Sequence, residues 1–133
     1  MSKQVVAQKL VCYGEILWDV LPSGPLPGGA PMNVAYHLHK LNRPVSLITA
    51  TGNDNYGAKL VNLLSQWGIG TEYCHTDHYH PTGMVYAKPH SRFEMTYDIV
   101  YPSAWDFILW DEKLASLIQE TDYLVFGSLA CRS

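Results

Sequence analysis

No apolar run in these 133 residues approaches the length of a membrane span, and Met1-Ser2-Lys3-Gln4 leads into no signal-like apolar block. Cysteine is scarce: Cys12, Cys74 and Cys131 are odd in number and widely spaced. That excludes a disulfide framework or a zinc pattern and reads as a reducing compartment, hence the cytoplasm. Charge is scarce as well. With 16% charged residues and a net charge of −3, the chain has no basic surface for nucleic acid or an anionic membrane. Neither the phosphate-cradling loop that ends in Lys-Ser or Lys-Thr nor the dinucleotide fingerprint occurs. What remains is 47% hydrophobic, the composition of a soluble globular protein. At this length it is one domain that can bury roughly two thirds of its surface.

The most informative stretch is Gly28-Gly29-Ala30-Pro31-Met32-Asn33-Val34-Ala35. Paired glycines let a backbone approach a ligand that any Cβ would block. Pro31 suits a first helical turn, where the missing N–H costs nothing. Val34, Ala35, Leu38 and Leu41 follow at helical spacing, predicting a helix with that face inward. Asn33 falls in its first turn, beside the free N–H groups that make a helix start a polar cradle. A tight turn is the plainer reading of the same residues.

Upstream, Leu10 to Tyr13 is an apolar run closed by Gly14, which suits a buried parallel strand. Glu15 to Leu21 alternates at period two, with Ile16, Trp18 and Val20 on one face and Leu17, Asp19 and Leu21 on the other. Asp19 is therefore a carboxylate between apolar neighbours. It is either a surface group or an acceptor for vicinal hydroxyls of a ligand. Glu15 reads as a local turn or capping group, and Pro22 to Pro27 as a turn-rich connection.

Downstream, Asn42 suits a left-handed helix cap. Val45 to Ala50 reads as a second buried strand, and Asp54 as the N-cap of a helix with a Tyr56, Leu60, Leu63, Leu64 and Trp67 stripe closed by Gly68. Cys74 to His80 reads as a histidine-bearing loop whose spacing defines no metal site. Met84 to Lys88 and Arg92 to Tyr97 form a hairpin with Phe93, Met95 and Tyr97 on its covered face. That hairpin pairs with residues 15–21 as a small antiparallel sheet. A loop at Tyr101 to Trp105 follows, then a helix capped by Asp111 and carrying Leu114, Leu117 and Ile118. Tyr123 to Phe126 is a third buried strand. Cys12 and Cys131, in apolar strand-like runs, read as buried thiols. The strand–helix alternation implies an α/β fold with parallel strands.

These pieces resemble the N-terminal half of a ribokinase-like (PfkB-type) carbohydrate kinase, most similar to fructokinases. The matching runs are Gly14-Glu15-Ile16-Leu17-Trp18-Asp19, Gly28 to Ala35, Thr51-Gly52-Asn53-Asp54-Asn55-Tyr56-Gly57, Pro81-Thr82-Gly83 and Phe126-Gly127-Ser128-Leu129. The Gly28 run matches in both residue types and spacing. Asn42 departs from the usual Gly or Ser but tolerates the same cap.

The resemblance implies a partial ribokinase-like α/β fold: a single truncated domain, 1–133, with lid segments at about 15–27 and 82–98. It implies a sugar held by Asp19, Gly28, Gly29 and Asn33, with Tyr97 and Tyr86 as aromatic cover or as lid packing. It also implies phosphoryl transfer from ATP, helped by Mg²⁺, to a hydroxyl of a fructose-like sugar in the full-length enzyme. The family's Gly-Ala-Gly-Asp run, which supplies base and anion hole, does not occur here. Phosphoryl transfer rests on positioning and charge stabilisation, so this chain alone is expected to be inactive and to bind neither ATP nor metal. Self-association is expected through the lid or an exposed sheet edge. The alternatives are a non-catalytic sugar-binding or dimerisation module, or an inert fragment.

Overall fold

The short apolar strand β1 (Leu10–Tyr13) lies inside a parallel sheet, flanked by β4 (Val45–Gly52) and β8 (Tyr123–Phe126). We describe residues 8–132 of a computed structural model. A fourth strand, β5 (Cys74–Asp77), pairs with β4, giving the order β5-β4-β1-β8. Period-two alternation divides the core. Cys12 and Leu47 face α1 (Ala30–Lys40) and α2 (Asn55–Gln66), while Val11 and Ile48 face Leu114 of α3 (Glu112–Gln119). Helices on both faces give the doubly wound α/β arrangement.

The second sheet, β3-β2-β6-β7, is built from β2 (Leu17–Leu21), β3 (Gly24–Gly28), β6 (Gly83–Pro89) and β7 (Met95–Ile99). It is mixed rather than wholly antiparallel, because β2 and β6 run parallel, Leu17 opposite Gly83 and Val20 opposite Tyr86. The chain leaves the body at the same end for both, so the two exits share a direction. The Pro-rich connection is itself an edge strand. Pro25 and Pro27 are two apart, so both missing N–H groups fall on the side away from β2, where an edge strand needs no donor.

Other local expectations shift for tertiary reasons. In α1 the inward residues are Pro31, Met32 and Ala35, while Val34 and Leu41 are exposed. The loop at Cys74 begins as strand β5, because β4 offers it an edge. Tyr56 stands exposed at the start of α2, whose buried residues are Gly57, Leu60 and Leu64. The hairpin face of Phe93, Met95 and Tyr97 is open, with Phe93 92% exposed. Strand β8 is an edge with Tyr123, Leu124 and Phe126 exposed, not a buried strand. Cys131 is exposed in a 3-10 turn (Ser128–Cys131), whereas Cys12 is buried and its thiol pushed up to about 11. Trp105 is fully buried in a 3-10 turn (Ala104–Phe107). Asn42 has φ 58, and Asp54 and Asp111 cap α2 and α3 by accepting from the N–H groups of Gly57 and Leu114.

Candidate functional site

In the parallel sheet the strand order reverses at β1, since β1 leads outward to β4 while β8 is added on its other side. Open α/β sheets take ligands in the crevice beyond the carboxyl ends of the strands at such a switch point. The residues found there are Gly14 and Glu15 after β1, Gly127 and Ser128 after β8, and the start of α1. A 470 Å³ cavity lined by Lys9, His39, Pro44, Ser46 and Glu120 lies at the opposite, N-terminal ends of β1 and β4. That is the wrong end of the sheet for such a site.

Gly28 closes β3 directly beneath Asp19: a Cβ at Gly28 would collide with the Asp19 carboxylate. Gly29 has φ 111 and is the N-cap of α1, and a Cβ there would run into the Glu15 carbonyl oxygen. Gly29 is thus required by close approach to backbone and by its backbone angle, whereas a side chain at Gly28 would displace the Asp19 carboxylate. Glu15 is 3% exposed; its Oε1 accepts the Ala30 N–H at 3.4 Å, which fits a carboxylate at a positive helix end. Its Oε2 is buried without a partner among the described residues.

The Asp19 carboxylate is half-buried, burial raises its pKa, and no donor among the described residues reaches it. Such a group gains from any ligand bringing hydroxyl donors. Asn33 sits one turn into α1, its N–H donating to the Gly29 carbonyl at 2.9 Å and its side chain exposed. Asp19 is therefore in contact with Gly28, Gly29 follows as the cap of α1, and Asn33 lies one helical turn beyond. Tyr97 is farther off. Asp19 pairs with Val85 and Val85 with Ile99, so Tyr97, opposite Ala87, shares the Asp19 face but stands two strands away, about 12 Å. It is 60% exposed. Tyr86 pairs with Val20 and belongs to the opposite face, so the aromatic cover expected of it does not fit.

Sequence reasoning missed two long-range polar nodes. Asp54, expected only as a helix cap, also accepts the N–H and hydroxyl of Thr82 at 3.0 and 2.6 Å, where the chain enters β6. Asp106 and Arg132 pair at 2.7 Å near the exit from β7. Neither partnership has a local signature. In the histidine segment, Asp77 accepts from the Tyr79 and His80 N–H groups and holds His80 Nδ1 at 2.9 Å, while His80 stacks on Phe107 at 3.8 Å. Among the described residues no group of three or more His, Cys, Asp or Glu is gathered to hold a metal. None of the described helices is long and apolar enough to cross a membrane.

Comparison with known proteins gives one family: that described as pfkB family carbohydrate kinase matches residues 24–133. Fructokinase-2 of Oryza sativa is 29% identical over 142 residues, covering 93% of this chain and 42% of its own length. A fructokinase from Vibrio cholerae, solved with fructose, ADP and calcium bound, shows 26% identity and a TM-score of 0.65 over 77% of this chain and 35% of its own. A fructokinase from Xylella fastidiosa with bound ATP superimposes with a TM-score of 0.78 at 22% identity, over 96% of this chain and 41% of its own, a likeness of fold. The chain thus spans about 42% of the length of the rice relative it matches.

Proposed function

We propose, for a chain that belongs to the pfkB family of carbohydrate kinases, that residues 1–133 form the sugar-binding part of an enzyme phosphorylating a fructose-like sugar. The observation that carries this is the half-buried Asp19 carboxylate, without a partner among the described residues, lying directly on Gly28 beside the start of α1. A carboxylate accepts from two vicinal hydroxyls at once, and Gly28 lets the Asp19 carboxylate lie against the backbone just before α1. Asn33 supplies an amide that both donates and accepts one helical turn away. The second sheet, residues about 15–27 and 82–98, acts as a lid, with Tyr97 on its sugar-facing side. ATP and Mg²⁺ supply the transferred phosphoryl group and its charge neutralisation in the full-length enzyme. The residues described here act on the sugar alone. Three free thiols fit a reducing cytoplasmic compartment.

Isothermal calorimetry of the chain with D-fructose tests the reading. Loss of two hydrogen bonds to a charged acceptor at about 1.5–3 kcal/mol each makes Asp19→Ala bind at least about a hundredfold more weakly. Because burial raises the Asp19 pKa, the binding-competent anion is lost at a higher pH than for a surface aspartate. Affinity therefore falls early as pH is lowered. An Asp19→Ala chain binding fructose as well as the unsubstituted one removes this assignment.

A second reading, a dimerisation module, is favoured by the open β8 edge and the bare lid face around Phe93 and Met95. Size-exclusion chromatography over a concentration series shows self-association if it holds; a monomer throughout rejects it.

A further inference from the structure

The most completely built polar cluster in the molecule lies outside the sugar site. Arg132 follows the 3-10 turn after β8 and reaches back to the point where the lid rejoins the body. Its Nε and Nη2 donate to the two Asp106 oxygens at 2.8 and 2.7 Å, a bidentate pair. Nη2 also donates to the Val100 carbonyl at 2.8 Å, and Nη1 to the Ile99 carbonyl at 3.3 Å. Its guanidinium carbon stands 4.2 Å from the Trp105 ring centre and 5.1 Å from that of Tyr101. The Asp106 side chain is 1% exposed and also accepts the Ser103 N–H at 2.9 Å.

We propose that Arg132 is a positioning residue for the lid: its guanidinium fixes where β7 returns to the body and so sets the angle at which the lid stands over the sugar face. Three observations carry this. The carbonyls it takes belong to Ile99, the last residue of β7, and to Val100, the next one. Both lie at or beyond the end of the strand; the Val100 carbonyl also accepts the Ser103 hydroxyl at 2.8 Å, and Arg132 adds to that local bond a tie from outside the segment. All its hydrogen-bond and ring partners fall between residues 99 and 106, so the contact joins the lid's return to the segment that follows β8. The bonding needs a planar fork serving a carboxylate and two carbonyls while stacking on a ring, which an ammonium group cannot do. At the entry to β6, Thr82 is held by Asp54, and the Pro81 carbonyl beside it accepts the Ala104 N–H at 2.8 Å, so the entry to β6 and the return from β7 are tied to each other as well. The inference rests on the reading of the second sheet as a lid over a sugar.

Site-resolved amide hydrogen exchange on the full chain, unsubstituted and Arg132→Lys, tests it. The expected result is about tenfold or faster exchange for the β7 amides, with β1 and β4 amides unchanged, since fork geometry rather than charge is lost. Asp106→Asn, which keeps shape and removes the charge partner, gives the same localised pattern and serves if the first variant does not fold. Acceleration spread equally over both sheets would make Arg132 a general stabiliser and overturn the proposal, as would unchanged β7 exchange. D-fructose calorimetry on the same samples judges the sugar reading separately. Absence of binding to the unsubstituted chain sinks that reading, while the exchange pattern still decides what Arg132 does to the second sheet.

Discussion

Replacing Asp54 by Ala removes three hydrogen bonds with one side chain, and their sizes can be worked out separately. The Oδ1 bond to the Gly57 N–H at 2.8 Å is an N-cap for α2, worth about 1 kcal/mol. The two bonds from Thr82 differ in kind. Thr82 is 2% exposed, so its N–H and hydroxyl proton are left buried and unpaired, at about 1–3 kcal/mol together once water enters the vacated space. The expected loss is thus about 2–4 kcal/mol, a large part of the 5–15 kcal/mol typical of a domain. Asp54→Asn keeps one acceptor oxygen and should lose about half as much, because its amide NH₂ then faces the Thr82 N–H.

Urea unfolding followed by tryptophan fluorescence measures both variants, with slopes matching the unsubstituted chain if only stability has changed. The pH dependence supplies a second check. Burial alone would raise the Asp54 pKa, but the Thr82 hydroxyl and the Thr82, Gly57 and Tyr56 N–H groups outweigh it, so the folded-state value is lowered. A depressed carboxylate pKa contributes stability above the unfolded value of about 4 and loses it as pH falls through the folded value. The gap between unsubstituted chain and Asp54→Ala should therefore narrow below about pH 4. A loss under about 0.5 kcal/mol at neutral pH, no more than a surface change produces, would refute the account of this node.

Gly28→Ala should separate binding from folding: the new methyl forces the Asp19 side chain off its rotamer at about 0.5–1.5 kcal/mol, while calorimetry shows D-fructose binding lost. Unchanged binding would mean that the glycine does not shape the site. Trp105→Ala empties a fully buried position against Gly83 and Arg132 and should cost about 3–5 kcal/mol in thermal or urea unfolding. A loss below about 1 kcal/mol would show that the site collapses around the gap. In a coupled assay with ATP, Mg²⁺ and fructose the purified chain should give no turnover, and sustained turnover would contradict the reading that it supplies only the sugar side.

Features legible in the sequence were those whose cause is local. The β1 apolar run, the Pro31 helix start, the Asp54 and Asp111 caps and the Asn42 left-handed turn each depend on a few neighbouring residues. Asp19 and the paired glycines were legible as a group because their types and spacing match a family pattern. What failed was set by pairing across distance. Strand β3 is a strand because β2 accepts its unprolinated side, and β5 because β4 has a free edge. The orientation of α1 follows from where the sheet lies, which shifts its buried stripe from Val34 and Leu41 to Pro31, Met32 and Ala35. The apolar residues of β8 predict burial, yet burial depends on a neighbour beyond the strand, and among the described residues none is present. The reach of Asp106 to Arg132 has no local sign at all.

The parallel pairing of β2 with β6 also sets a condition on assembly. Leu17 and Gly83 lie on either side of α1, β4, α2 and β5, so joining the two local hairpins closes a long chain loop whose entropic cost comes before any reward. The pairing of β1 with β8, Leu10 opposite Tyr123, closes a longer one still. Until β2 and β6 meet, β6 and β7 are an isolated hairpin that leaves Phe93, Met95 and Tyr97 open during synthesis, the moment at which other nascent copies would find them.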